Sequence, residues 1–223
     1  MVPLSRSKKP GRTRMKGAPC VISVTEHAGW AYVVCVAAVG HAPAVIARRR
    51  VTLIEAGLPT MPYHHDSNGM REDEANALIA RVRRSIGACA SRELHRVVTD
   101  LAPANTVVAL AIREPTFPAL PTSVAAVWQS YRLQCAADGV MYQLAVCRAA
   151  RDLGLEVHSC RRGQESARAA ERLGVTTDAI ESFVSRIGRP SGPPWTQEHR
   201  RAYAAGISTL AVHAGSRVRI PVS

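Results

Sequence analysis

Six apolar residues run without a break from Val107 to Ile112 inside the stretch NTVVALAIRE, Asn105 to Glu114, and Pro115 follows at once. A strand with one wet face alternates polar with apolar residues; a strand covered on both faces need not. The run therefore reads as a central strand of an α/β sheet with helices on both sides. Pro115 cannot donate to a ladder and stops the strand just after Arg113 and Glu114. Open α/β sheets place their ligands off the carboxyl ends of such strands, which makes Glu114 a candidate site residue. A solvated charge that merely closes the strand is the alternative, and this stretch alone does not separate the two.

The chain before this strand reads as an antiparallel meander. CVISVT (Cys20 to Thr25), WAYVVCVAAV (Trp30 to Val39) and AVIARRRVTLI (Ala44 to Ile54) are separated by short turns at Glu26 to Gly29 and Gly40 to Pro43. Arg48, Arg49 and Arg50 then fall at or beyond a sheet edge, and Glu55 to Gly69 is a loop rich in Pro, Gly and His. From Arg71 the spacing of Ala75, Leu78, Ile79, Val82 and Ile86 predicts a helix, with Glu72, Asp73 and Glu74 in its first turn as the helix dipole prefers. A separate short helix is expected over Ser91 to Asp100. Beyond Pro121, Thr122 or Ser123 caps one long helix that reaches Leu153, and a strand follows from Leu155 to Cys160. Helices over Gln164 to Leu173 and Thr177 to Ile187, a Gly/Pro linker from Gly188 to Pro194, and a last helix from Gln197 to His213 capped by Thr196 complete the chain.

Net charge is +12, a balance that suits a polyanionic partner such as nucleic acid. Half of it sits in residues 1–17, where Arg6, Lys8, Lys9, Arg12, Arg14 and Lys16 meet no acid. Such a tail reads as disordered and able to hold phosphates without sequence preference, or as a solubilising or targeting segment. No apolar run is long enough to span a bilayer. The six cysteines include no C-x-x-C pair and follow no secretory leader, which points to reduced thiols in a cytoplasmic protein. His64-His65-Asp66 on its loop reads as solvated side chains, and Cys160 beside Arg161 and Arg162 as a buried thiol with no base to activate it. Without a phosphate-cradling glycine loop or a G-x-S-x-G elbow, a nucleotide hydrolase or serine esterase has no support.

Taken in order, the elements are three antiparallel strands, a helix, a buried strand ending in Glu, a long helix, a strand and further helices. This resembles the RNase H-like superfamily of nucleases, and within it the RuvC-type Holliday junction resolvases. The resemblance spans Cys20 to His213 and lies in order and texture more than in tight motifs. It implies a five-stranded mixed sheet, three antiparallel strands then two parallel, flanked by helices. That domain would cover residues 18–215, between the 1–17 tail and a short basic end at 216–223. It also implies carboxylates meeting at the first strand, the end of the fourth and the start of the last helix, where they hold two Mg²⁺ (or Mn²⁺) ions on a scissile phosphate. The matching positions here are Thr25-Glu26, Glu114 in AIREPTF, and Glu198-His199 ahead of a small-residue helix. Two positions depart: Thr25 stands where the family carries its first-strand Asp, and Arg201 where it carries the second Asp of the helix pair. Glu26 is one residue late, and a one-residue shift on a strand reverses the face. It serves only if the strand ends at Thr25 or a bulge turns it inward. His199 is placed to replace the missing ligand or to orient a water.

The expectation is a metal-dependent endodeoxyribonuclease acting on branched DNA, homodimeric as the family is, and nucleoid-associated. Glu26, Glu114 and Glu198 would bind metal with His199 beside them. Lys8, Lys9, Arg12, Arg14, Lys16, Arg48, Arg49 and Arg50 would hold phosphates. The alternative is a non-catalytic nucleic-acid-binding protein, built on a degenerate nuclease core or on a helix-turn-helix at 164–188, with a place in a larger nucleoprotein assembly as a further option. In a helix-turn-helix, Thr176, Thr177 and Asp178 would lie nearest the bases.

Overall fold

The apolar runs pair as their alternation requires. The computed structural model describes residues 17–102, 104–114, 119–187, 194–215 and 218–221. Pro115, linker residues 188–193 and the tail cations Lys8, Lys9, Arg12, Arg14 and Lys16 lie outside the described residues. β1 (Ala18–His27), β2 (Trp30–Val39) and β3 (Ala42–Thr52) form the meander; α1 (Glu72–Leu101) leads to β4 (Asn105–Arg113). Then come α2 (Val124–Trp128), α3 (Tyr131–Asp152), β5 (Glu156–Cys160), α4 (Glu165–Leu173), α5 (Thr177–Ile187) and α6 (Gln197–Ala214). The sheet order is β3-β2-β1-β4-β5. β1 pairs antiparallel with β2, and β2 with β3, while β4 is parallel to both β1 and β5. This is the five-stranded mixed sheet of an RNase H-like fold. The middle strand is β1; β4, the unbroken apolar run, lies next to it and is covered on both faces.

Alternation divides the core. Ile22, Val24, Val33, Leu110 and Ile112 face Val82 and Ile86 of α1 and Tyr142 and Val146 of α3. Val21, Val34, Ala109 and Ala111 face Tyr203, Ile207 and Leu210 of α6, with Ile180 and Phe183 of α5 behind. The small residues of α6 let it sit close to the sheet: a Cβ on Gly206 would come within 2.6 Å of Val36 Cγ2. Gly174, at φ 66°, ends α4 in the left-handed conformation that turns the chain into α5.

Beyond shifts of a residue or two at strand ends, such as β3 at Ala42–Thr52, four departures from the sequence reading bear on the site or the core. β1 continues through Glu26 to His27, where Glu26 pairs with Ala31. Ser91 to Asp100 is the second half of one 30-residue α1. Ile86, Cys89, Ala90, Leu94, Val97 and Leu101 keep one buried stripe; that packing outweighs the cost of Gly87, about 1 kcal/mol relative to Ala. The long helix after Ser123 breaks at Gln129 and Ser130, where Trp128 is held by a 3.1 Å bond from its indole N–H to Ser67 Oγ and Ser130 takes the extended N-cap conformation serine favours. At the chain end, expected as a basic tail, Val218 and Ile220 are buried against α6 and the Arg219 N–H donates to the His41 carbonyl at 2.7 Å. No described helix is long and apolar enough to cross a membrane.

Candidate nucleic-acid interface at the carboxyl end of the sheet

The ends of β1 and β4 meet the first turn of α6 at a narrow cleft. Its lining includes Thr25, Arg113, Arg162, Glu165, Glu198 and Arg201, and its volume is about 20 Å³, room for roughly one water. Three arginines there face two carboxylates. Thr25, Glu198 and Arg201 are thus brought together as the element order implies, with a hydroxyl and a guanidinium at the two departing positions.

Each acid singled out in the sequence has an arginine against it. Alternation puts Glu26 on the face of Ile22 and Val24, away from Thr25. Its carboxyl is 5% exposed and 2.9 Å from the Arg113 guanidinium. Burial raises the Glu26 pKa above its ordinary value, Arg113 opposes the rise, and Glu198 adds a little to it. The second oxygen, Oε2, is buried with no hydrogen-bond partner. Glu198, at the positive end of α6, lies 3.3 Å from Arg201 one turn on. Glu114 extends the β4–β5 ladder by an N–H bond to the Cys160 carbonyl, 2.8 Å. Its carboxylate is 42% exposed and lies 3.4 Å from Arg161.

Two Mg²⁺ ions call for hard oxygen ligands around ions roughly 4 Å apart, with room for several waters. The donor set does not fit them. Thr25 gives no charge, Glu26 is turned to the other face, and Glu114 stands at the rim. The cleft itself holds Arg113, Arg162 and Arg201. Among the described residues, the three acids do not gather their oxygens within 4.8 Å of one another; the group that does is elsewhere.

His199 is buried, and its Nδ1 accepts the Thr196 N–H at 3.3 Å and lies 2.8 Å from the Thr196 hydroxyl, closing the first turn of α6. Its ring is wedged between Tyr32, centroids 4.1 Å apart, and Trp195, 5.7 Å. Burial lowers its pKa, with Arg48 acting in the same direction. It therefore caps a helix as a neutral imidazole.

That ring belongs to a larger surface on the α6 face of the meander. His27 stacks on Trp30 at 4.1 Å, and Trp30 meets Tyr32 edge-on at 4.8 Å. Arg50 lies over Trp30 at 4.4 Å and Arg48 over Trp195 at 5.8 Å. Arg48 also donates to the Pro194 carbonyl at 2.6 Å, and Arg49, on the opposite face, pairs with Asp100 at 2.8 Å. Of the three edge arginines, Arg50 is the exposed one and stands on an aromatic platform. Sequence reasoning passed over this platform. The spacing of Trp30 and Tyr32 on one strand was the available signal, since i and i+2 share a face.

The His64-His65-Asp66 segment is a π-helical turn, Pro62–Asp66, whose Tyr63 and His64 N–H groups donate to Asp138 at 3.0 and 3.1 Å. In the α4–α5 pair, Thr176 caps α5 by accepting the Ala179 N–H at 3.2 Å, and Thr176 and Asp178 are exposed.

No protein-family profile matches the sequence, and no curated protein sequence does either. The fold is similar to the solved structure of Thermus thermophilus RuvC, at 15% identity and TM-score 0.46, over 88% of this chain and 97% of that one. The same enzyme in complex with a Holliday junction substrate gives 15% identity and TM-score 0.46, over 88% and 96%. An Aquifex aeolicus member of the Ppx/GppA family gives 10% identity and TM-score 0.36, over 77% of this chain and 40% of that one.

Proposed function

We propose that this protein binds nucleic acid through an RNase H-like core in which arginines occupy the place of metal ions. The observation that carries this reading is the pairing of each acid with a cation: Glu26 with Arg113, Glu198 with Arg201 and Glu114 with Arg161. A guanidinium grips phosphate through a fixed fork of donors, so the cleft end of the sheet suits a phosphodiester backbone. Trp30 lies between His27 and the exposed Arg50, so an unpaired base, as at the junctions and ends of branched nucleic acid, would stack on this column at Arg50, over its guanidinium plane or in its place. The basic tail, with Lys8, Lys9, Arg12, Arg14 and Lys16, adds contacts that follow charge alone.

A second reading keeps the nuclease: a homodimeric, Mg²⁺- or Mn²⁺-dependent endonuclease on branched DNA, using Glu26, Glu114 and Glu198. One observation favours it, the unpartnered buried Oε2 of Glu26. A labelled four-way junction, a duplex and a single strand, titrated with protein across salt concentrations and then incubated with Mg²⁺ or Mn²⁺, separate the two. The binding reading expects salt-sensitive complexes and intact strands in either metal. Nicking that vanishes in Glu198→Gln would replace it with the enzyme.

A further inference from the structure

The opposite end of α6 carries a different group of side chains. Glu156 and His158, two apart on the edge strand β5, share the α6 face of the sheet opposite Ala109 and Ala111. His213 comes down to them from the last turn of α6. His158 Nε2 lies 3.0 Å from Glu156 Oε1 and 3.1 Å from His213 Nε2. His213 Nε2 lies 3.8 Å from Glu156 Oε2. The two rings diverge from that meeting point: their planes are 86° apart and their centroids 5.2 Å.

We infer that Glu156, His158 and His213 form a binding site for a zinc-like divalent ion that clamps β5 to the C-terminal end of α6. Tetrahedral Zn²⁺ with bonds of about 2.0–2.1 Å holds its donors about 3.3–3.4 Å apart. The two imidazole nitrogens are 3.1 Å apart, and each has one oxygen of the Glu156 carboxylate near that edge length, Oε1 at 3.0 Å from His158 and Oε2 at 3.8 Å from His213, so the carboxylate reaches both. All three residues offer ligand atoms within 4.8 Å of one another. Two imidazoles and one carboxylate select zinc and its neighbours over Mg²⁺, which takes an all-oxygen shell. The histidine side chains are 18% and 19% exposed and Glu156 is 62% exposed, so a fourth position opens to solvent for a water. No arginine pairs with Glu156 among the described residues; its ion-pair partners are the two histidines. Arg172, whose charge reaches His158, is tied to the Ser208 carbonyl at 3.1 Å. The ion has a mechanical consequence. β5 holds the sheet only through β4, and the metal joins it to a helix 55 residues further along the chain.

The test uses the full chain, free of any histidine tag and stripped with chelator. Zinc titrated by calorimetry should bind once per chain. The melting temperature should rise by about 5–10 °C at a hundredfold excess over Kd, with no rise in Mg²⁺. Co²⁺ should give the visible absorption of a tetrahedral site. Glu156→Gln alters an exposed side chain and leaves folding intact; it should weaken binding by at least the roughly 10–100-fold that loss of an outer partner costs. His213→Ala should abolish the cobalt spectrum. Zinc uptake or a cobalt spectrum that survives both substitutions puts the ion elsewhere and overturns the assignment, as does a chain that takes up no zinc. Nucleic-acid binding has no part in these readouts.

Discussion

The two ends of α6 face opposite chemistries. The helix has 18 residues and is about 27 Å long. Its first turn, where free N–H groups make the end positive, holds Glu198 among Arg113, Arg162 and Arg201. Its last turn, where free carbonyls make the end negative, holds His213 beside His158 and Glu156, with no arginine of the described residues in an ion pair there. Carboxylates occur at both ends, so counting acids does not distinguish them. What distinguishes them is the neighbour: at one end a guanidinium makes the carboxylate half of an ion pair, as the proposed phosphate contact requires, whereas at the other two imidazoles stand beside it, as the proposed metal site requires. The helix dipole supports each assignment.

The largest effect expected from breaking this contrast is at Arg113. Arg113→Ala leaves the Glu26 carboxyl buried with no counter-charge, and loss of one partner from a buried pair costs about 3 kcal/mol. Urea denaturation at pH 7 measures it. The double variant Arg113→Ala/Glu26→Gln should recover much of the loss, as a coupling between contacting residues requires. The pH dependence has a definite sign. Burial raises the folded Glu26 pKa above 4.5, so the folded chain holds the proton more tightly than the unfolded one. Its contribution is full below 4.5 and is lost as pH rises through the folded pKa. Arg113→Ala removes the charge that opposes this rise, so the loss should extend to higher pH. A variant as stable as the parent at pH 7 would show that Glu26 reaches water or another cation, and the contrast between the two ends would weaken.

Next in size is the platform beside the arginine end. Trp30→Ala removes the ring on which Arg50 and His27 stack, and stacking is worth about 1–3 kcal/mol per base. Affinity for a single strand should fall by that amount, read by fluorescence anisotropy at fixed salt. Arg50→Ala should lose less affinity and flatten the salt dependence by about one counterion. Equal losses on duplex and single strand would mean that only charge is used.

Much of the fold was legible because its signals are local. The β2 limits Trp30–Val39 and the α5 limits Thr177–Ile187 fall where periodicity put them, and the α6 start at Gln197 follows its Thr196 cap. The carboxyl end of β1 was the costly ambiguity. CVISVT followed by Glu-His-Ala-Gly reads as strand then turn, yet β2 pairs with Glu26 and His27 through Ala31 and Trp30 and carries the strand on by two residues. That extension sends Glu26 to the α3 face. The site was legible in part for the same reason. Arg201 three residues after Glu198 is a helix neighbour that spacing reveals. Arg113 and Glu26 are 87 residues apart, and no local pattern announces their pairing. Glu156 and His158 show two of the three proposed ligands in their i, i+2 spacing, but His213 joins them only through the packing of α6.

The smallest expected effect is at Glu114, and it cuts most sharply between the readings. Its carboxylate is 42% exposed and its partner Arg161 is 70% exposed, so the pair is worth about 0–1 kcal/mol after solvent screening. Glu114→Gln should leave stability within about 0.5 kcal/mol of the parent. It removes one negative charge beside a basic surface, so affinity for DNA should stay equal or rise slightly, most visibly at low salt, where the Debye length is long. A metal ligand behaves otherwise: its amide gives up a charge that holds the ion, and any junction nicking should collapse while binding persists. Circular dichroism melts, anisotropy at two salt concentrations and a nicking assay on one preparation therefore suffice. If Glu114→Gln changes none of them by more than these small amounts, the acid at the end of β4 closes a strand and nothing more.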